Sequence, residues 1–220
     1  MLDAFVMTAK IAAMQLDFTA YPSDYCLFER FAPSDASDEV LDNACQWKAY
    51  ADTLPAAFQK QIARIWQRWT ENRRQLQQIY PRLPTSVFQA DLNPTNILLD
   101  ENGKFAGILD FNLCGRDVFL NYLFREIYWI ADVDEEIAYL LSVLQKVSAV
   151  YRFSALEIEA APLLYRCLKP LWFTKLEKLK AAGADAQTIQ DSLNETESLQ
   201  TRPIDFLHIM RKVAPRSCGD

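Results

Sequence analysis

The chain has 220 residues, of which 50% are hydrophobic and 12% aromatic, and its formal net charge is −6 at pH 7. A chain of this length and apolar content can bury a sizeable core as one domain, which argues against a disordered protein. The acidic balance argues against nucleic acid as the main partner.

The cysteines and the single histidine limit the chemistry of the chain. Five cysteines are scattered without a C-x-x-C pair, and His208 is the one histidine, so a zinc cluster and a Ser–His or Cys–His triad are disfavoured. Scattered thiols are typical of a reducing cytosol. The amino terminus carries Asp3 and Lys10 without a signal-peptide cleavage pattern, and no uncharged run reaches membrane-spanning length. We therefore expect a cytoplasmic protein.

Apolar residues at helical spacing predict that most of the chain is helical. Asp38 is a candidate N-cap, Pro55 suits a first helical turn, Pro81 ends the long central helix and Gly183 ends a later one. The sequence shows no internal repeat, so a single domain over residues 1–220 is expected. The predicted helices span residues 2–16, 38–52, 55–80, 119–131, 132–150, 154–169, 171–182, 185–193 and 203–213.

The long central helix carries a basic ridge. Lys60, Arg64 and Arg68 follow one another at intervals of four residues, beside Trp66 and Trp69. Basic side chains next to aromatic rings suit a phosphate-bearing or RNA partner. They also suit a solvated helix face on which Lys and Arg stems cover apolar neighbours, and this simpler interpretation is preferred.

A β-hairpin is predicted over residues 97–109. The stretch is apolar on both sides of a turn that ends in Asn102-Gly103, which is a strong local turn signal. Folding the chain back at this turn is expected to bring Asn96 and Asp110 together at the other end of the hairpin.

Three oxygen-bearing side chains around this hairpin are the candidate site residues. A carboxylate from Asp110 and an amide oxygen from Asn96 suit Mg²⁺, which prefers hard oxygen ligands. Asp91, delivered by a predicted short strand at residues 86–89, stands where a substrate hydroxyl could give up its proton. The alternative is a surface hairpin that carries Asp and Asn because both residues favour turns.

The spacing of Asp91, Asn96 and Asp110-Phe111 resembles the H-x-D-x-x-x-x-N and D-F-G loops of the kinase fold. It is most similar to the bacterial branch that covers aminoglycoside phosphotransferases, choline kinases and type-II homoserine kinases. The resemblance implies that Asp91 is the catalytic base. It implies that Asn96 and Asp110 are ligands of Mg²⁺ on the phosphates of ATP or another nucleoside triphosphate.

Two positions depart from the family pattern. Gln89 stands where the family usually has His, and it can brace the loop on the cofactor side through its amide group. Asn112 stands in place of the Gly of D-F-G, and Asn tolerates a positive φ better than most residues. Neither change removes the base or a metal ligand.

The resemblance implies an α+β, mostly helical fold like the carboxyl-terminal lobe of the kinase fold, with the catalytic and metal loops at residues 86–117. The chain has only five glycines and none forms a G-x-G-x-x-G loop, so the amino-terminal lobe is expected to be absent. The expected function is ATP- and Mg²⁺-dependent phosphoryl transfer to a small-molecule hydroxyl acceptor. We expect it to need a separate amino-terminal-lobe polypeptide or self-association, without nucleic acid or membrane.

Two other functions remain open at this point. The chain could be a non-catalytic binding or interaction module, in which the loops serve metal, phosphate or partner binding. Its apolar surface, left without the second lobe, would then drive partner capture. The chain could also be a helical interaction protein in which the loop pattern is coincidental.

Overall fold

A computed structural model gives the fold of the chain. It describes residues 2–17, 23, 26–28, 38–88, 92–112, 114–127, 132–171, 179 and 183–213. No helix within these ranges has both the length and the apolar content needed to cross a membrane. The helices are α1 (Leu2–Met14), α2 (Glu39–Ala51), α3 (Ala56–Ile79), α4 (Phe119–Glu126), α5 (Val133–Ser148), α6 (Ala155–Leu168), α7 (Ala186–Thr201) and α8 (Phe206–Val213).

Short strands form two antiparallel pairs in the described part of the chain. In the first pair, β1 and β4, Phe88 lies opposite Gly115; in the second, β2 and β3, Ile97 lies opposite Ile108. The strands are β1 (Thr85–Phe88), β2 (Ile97–Leu99), β3 (Phe105–Ile108) and β4 (Gly115–Val118).

Local sequence determines where several helices begin. Asp38 caps α2 by accepting a hydrogen bond from the Leu41 N–H at 2.7 Å. Ser154 and Glu157 form a reciprocal capping box at the start of α6, and Asp185 caps α7. Each cap satisfies an N–H group that the first helical turn leaves without a partner.

The helices pack around a core rich in aromatic side chains. The central helix α3 packs against α6, while α1 packs against β1 and α4 against α6. Each large apolar side chain removed from water stabilises the fold by about 1.5–3 kcal/mol. The buried face of α3 keeps the predicted helical spacing and comprises Phe58, Ile62, Ile65, Trp69, Leu76 and Ile79.

The mostly helical fold with small antiparallel sheets agrees with the predicted class, whereas some boundaries were wrong. α7 continues to Thr201 instead of ending at residue 193, because no Gly or Pro interrupts it before Pro203. α8 begins at Phe206 and not at Pro203. The strand β4 was not predicted. The helix predicted at residues 171–182 lies almost wholly outside the described residues.

Candidate functional site

The β2–β3 hairpin closes beside Asn96, at the end opposite its turn. The Leu109 N–H donates to the Asn96 carbonyl oxygen at 2.8 Å. This bond continues the strand pairing one residue beyond Ile97 and Ile108. Because Asp110 is the next residue, the hairpin brings Asn96 and Asp110 to the same end, as its sequence predicts. Their roles as metal ligands stay predictions.

The turn that folds the hairpin is held by the side chain of Asp100. Its Oδ1 accepts hydrogen bonds from the N–H groups of Asn102 at 2.9 Å and Lys104 at 2.8 Å. Gly103 takes a left-handed conformation, with φ of 73°, which a residue without Cβ adopts at little cost. The Asn102-Gly103 pair therefore favours this turn because Gly103 can adopt the positive φ that the turn requires.

Asp110 is exposed and has a left-handed backbone, with φ of 59°. Its Oδ1 accepts a hydrogen bond from the Asn112 N–H at 3.2 Å, an Asx turn that stabilises this backbone. Asp and Asn tolerate the left-handed region better than most residues, and unusual backbone angles often mark functional loops. In the Asp110-Phe111-Asn112 sequence the positive φ is at Asp110. The family pattern, with Gly at the third position, had suggested a positive φ at Asn112.

The segment that carries Gln89 and Asp91 lies outside the described residues, and their roles stay predictions. The residues on either side of it, Phe88 and Leu92, are buried. Phe88 pairs with Gly115 across β1 and β4. One strand pair therefore anchors both the chain entering residues 89–91 and the chain leaving the Asp110 loop.

Within this strand pair, Asp117 of β4 is a buried carboxylate that accepts several hydrogen bonds. Its Oδ1 accepts from the Tyr80 hydroxyl at 3.1 Å and from the Val118 N–H at 2.6 Å. Its Oδ2 accepts from the Ser23 hydroxyl and from the Asn121 amide, both at 3.0 Å. Asp117 thereby joins the segment after α1, the end of α3, β4 and α4.

Burial raises the pKa of Asp117 above its ordinary value of 3.8, while the hydrogen bonds from Asn121, Val118, Ser23 and Tyr80 lower it. Burial outweighs the hydrogen bonds. Burial also raises the pKa of Tyr80, so its hydroxyl stays protonated and donates. This network is a structural support for the loops and has no exposed group that could contact a substrate.

The donor atoms near the end of the hairpin fit a Mg²⁺ ion. An amide oxygen and a carboxylate are hard ligands, and Mg²⁺ in phosphoryl-transfer sites uses few protein ligands together with water and phosphate oxygens. Among the described residues no group of three His, Cys, Asp or Glu side chains could hold a metal ion. In the predicted site, water and phosphate oxygens would complete the coordination begun by Asn96 and Asp110.

A comparison with protein-family models places this hairpin within a known family. Residues 3–149, about two thirds of the chain, match the model described as the phosphotransferase enzyme family. The chain belongs to the phosphotransferase enzyme family. The comparisons with curated proteins and with solved structures gave no match.

Membership in the phosphotransferase enzyme family supports phosphotransferase-like activity for the chain. The matched range extends from α1 to the end of α5 and contains Asp91, Asn96 and Asp110. The helices α6 to α8 lie after it. The family match therefore does not cover the carboxyl-terminal helices of the chain.

Sequence reasoning missed two residues that support the site. Ser23 and Tyr80 are distant from Asp117 in sequence, and both donate hydrogen bonds to it. The Ser23 N–H also donates to the Arg116 carbonyl at 3.0 Å, which ties this connector to β4. The position of Tyr80, next to Pro81 at the end of α3, could be read from the sequence. Nothing in the sequence identified Asp117 as its hydrogen-bond partner.

Proposed function

We propose that this chain is the catalytic and metal-binding part of a Mg²⁺- and nucleoside-triphosphate-dependent phosphotransferase. Its substrate is a small molecule with a hydroxyl group that accepts the phosphoryl group. The observation that carries the proposal is the hydrogen bond from Leu109 to Asn96, which brings Asn96 and Asp110 together inside the family match.

Each candidate residue has a definite role in the proposal. Asn96 and Asp110 hold the metal ion through one amide oxygen and one carboxylate. When bound, Mg²⁺ neutralises charge on the nucleotide phosphates. Asp91 orients the acceptor hydroxyl and takes its proton. Gln89 braces the loop that carries Asp91, through hydrogen bonds that an amide can both donate and accept.

The proposal includes a second lobe contributed from outside these 220 residues. The sequence has no glycine-rich phosphate loop, and positioning of the phosphates supplies much of the rate in this reaction class. We place this lobe, or a second copy of the chain that substitutes for it, over the hairpin. The supporting observation is the exposed apolar surface there, where Leu99 and Phe111 are each 60% exposed.

The same surface favours a second candidate function, a non-catalytic binding module. Met14 at the end of α1 is 68% exposed, and α1 lies beside β3 of the hairpin. A module of this kind would bind a partner or a nucleotide without turnover. Release of labelled phosphate from ATP that depends on Asp91 would contradict the binding module and support the phosphotransferase.

A pair of matched substitutions on one hairpin tests the metal site. Asp110→Asn keeps an acceptor for the Asn112 N–H and a residue that tolerates positive φ, while removing the charge. We expect Mg·ATP to bind about tenfold more weakly, because one unit charge beside a divalent ion contributes on the order of 1–2 kcal/mol at an exposed site. Isothermal titration calorimetry measures the affinity.

Asp100→Asn is the control for this test. It makes the same chemical change at the opposite end of the same hairpin and keeps the acceptor for Asn102 and Lys104. We expect its affinity for Mg·ATP to equal that of the parent chain. Equal affinities for the parent, Asp110→Asn and Asp100→Asn would contradict the assigned metal site.

A further inference from the structure

A cleft of about 710 Å³ lies between α3, α6 and the carboxyl end of α7. None of the described residues that line it belongs to the hairpin. The α3 wall includes Arg64, Arg68 and Trp69, the α6 wall includes Leu163 and Arg166, and α7 adds Gln200 and Thr201. Its volume lies in the range of small-molecule sites, about 300–1,000 Å³. The basic ridge of α3 thus forms one wall of a concave surface.

The walls of the cleft are fixed by hydrogen bonds between the helices. The Trp69 Nε1 donates to the Cys167 carbonyl at 3.1 Å, and the Asn72 amide donates to the Leu163 carbonyl at 2.7 Å, which ties α3 to α6. The Gln200 amide donates to the Ile65 carbonyl at 2.9 Å, which ties α7 to α3. The cleft is therefore preformed, and a ligand would not need to order its walls.

The ionised groups at the cleft leave an excess of positive charge. Arg64 and Arg68 share one partner, Glu197, at 3.3 and 2.7 Å. Glu71 is paired with Arg74 at 2.8 Å. Arg166 also lines the cleft, so the lining residues and their ion-pair partners comprise four arginines and two glutamates. This excess contrasts with the whole chain, whose net charge is −6.

Two lining groups are unsatisfied. Arg166 is half-buried and makes no hydrogen bond or ion pair with any residue in the described ranges. Gln200 is only 7% exposed, and its Oε1 has no hydrogen-bond partner there. A guanidinium without a partner suits an anion. The Gln200 Oε1 is almost wholly inaccessible to solvent, so a ligand in the preformed cleft does not reach it. Arg166 therefore indicates a ligand that carries an anionic group.

We propose that this cleft binds a small phosphate-bearing molecule, at a site separate from the hairpin. Arg166, together with Arg64 and Arg68, contacts the phosphate, because a planar guanidinium presents paired donors to phosphate oxygens. Trp69 and Leu163 form an apolar wall for the rest of the ligand. The concave shape and the net negative charge of the chain favour a small molecule over RNA.

Binding of inorganic pyrophosphate to the full chain, in buffer without divalent cations, tests the proposal. We expect saturable binding in isothermal titration calorimetry, and an affinity about tenfold or more weaker for Arg166→Gln. This substitution breaks no ion pair among the described residues, so the variant should unfold at the same urea concentration as the parent. Arg152→Gln, which changes an exposed arginine outside the cleft, should bind like the parent.

The proposal would be overturned if pyrophosphate did not bind saturably, or if Arg166→Gln bound it as tightly as the parent. It would also be overturned if Arg152→Gln weakened pyrophosphate binding as much as Arg166→Gln does. Weaker binding in Asp110→Asn would assign the pyrophosphate to the hairpin instead. Tighter binding of a short RNA, with the same dependence on Arg166, would identify a nucleic-acid surface. If Asp110→Asn did not weaken Mg·ATP binding, the interpretation of pyrophosphate binding to the cleft would not change. The two proposals are therefore tested separately.

Discussion

At the scale of single residues, Asp117 holds together the parts of the chain that support the hairpin and the segment leading to Asp91. Its carboxylate accepts hydrogen bonds from side chains of three other segments, Ser23, Tyr80 and Asn121. Loss of an acceptor for a buried donor costs about 1–3 kcal/mol. A single change at Asp117 therefore affects the framework of the site without touching the proposed metal ligands.

The raised pKa of Asp117 gives a prediction for stability against pH. Because burial raises its pKa above 3.8, the folded chain holds this proton more tightly than the unfolded chain. The resulting stabilisation is complete below about pH 3.8 and is lost as the pH rises through the raised pKa. In Asp117→Asn this titration is removed. We expect the free energy of unfolding of the parent, relative to the variant, to decrease as the pH rises above about 4.

Urea unfolding followed by tryptophan fluorescence measures this difference at each pH. Asp134→Asn changes an exposed aspartate in the first turn of α5 and serves as the control for loss of one negative charge. A relative stability of the parent that increases with pH would contradict the assigned direction of the Asp117 shift.

Single residues also show what the sequence could and could not predict at this site. The approach of Asn96 and Asp110 at one end of a hairpin was predictable, because the Asn102-Gly103 turn is local. The left-handed backbone at Asp110 was not, since it depends on an Asx turn to Asn112. The distant partners of Asp117, Ser23 and Tyr80, are set by tertiary packing, on which local sequence carries no information.

At the scale of elements, the conformation of the hairpin turn determines how the strands pair at the other end, beside the proposed metal site. The turn is closed by Asp100 and Gly103, and the strands carry this geometry to the bond between Leu109 and Asn96. A change at the tip of the hairpin should therefore be detectable at its other end.

Gly103→Ala tests this coupling. No atom lies within 4 Å of the added Cβ, so the cost comes only from the positive φ, and is about 1 kcal/mol. We expect the Leu109 amide, which donates to Asn96, to exchange its hydrogen about fivefold faster.

Gly107→Ala is the matched control within the same hairpin. Its φ is not in the left-handed region, and the added Cβ would meet the Leu98 side chain at 3.8 Å, an ordinary contact. We expect little change in exchange at Leu109. Equal acceleration by both substitutions would mean that the positive φ at Gly103 does not control closure of the hairpin.

The elements differ in how well the sequence predicts them. Helices with clear caps, such as α2 at Asp38 and α6 at Ser154, begin where predicted. The strand β4 was missed because its four residues, Gly115–Val118, are stabilised by pairing with β1 and not by their own propensity. The length of α7 was underestimated because its polar composition masks a buried face formed by Thr196, Leu199 and Gln200.

At the scale of the whole molecule, two surfaces are distinct. One is the apolar surface around the hairpin and the end of α1, where the proposed phosphotransferase chemistry and the proposed second lobe meet. The other is the arginine-lined cleft between α3, α6 and α7. Because they share no lining residue, binding at one can be measured while the other is altered.

The central claim is that Asn96 and Asp110 hold the metal ion of a bound nucleotide. Paramagnetic Mn²⁺, added at substoichiometric amounts in place of Mg²⁺ with ATP, tests it by broadening backbone amide signals near the ion. We expect the signals of Asn96, Leu109 and Asp110 to broaden first, those of α7 to stay sharp, and the broadening to weaken in Asp110→Asn. Broadening centred on another surface, such as the acidic start of α5, or unchanged in Asp110→Asn, would contradict the account.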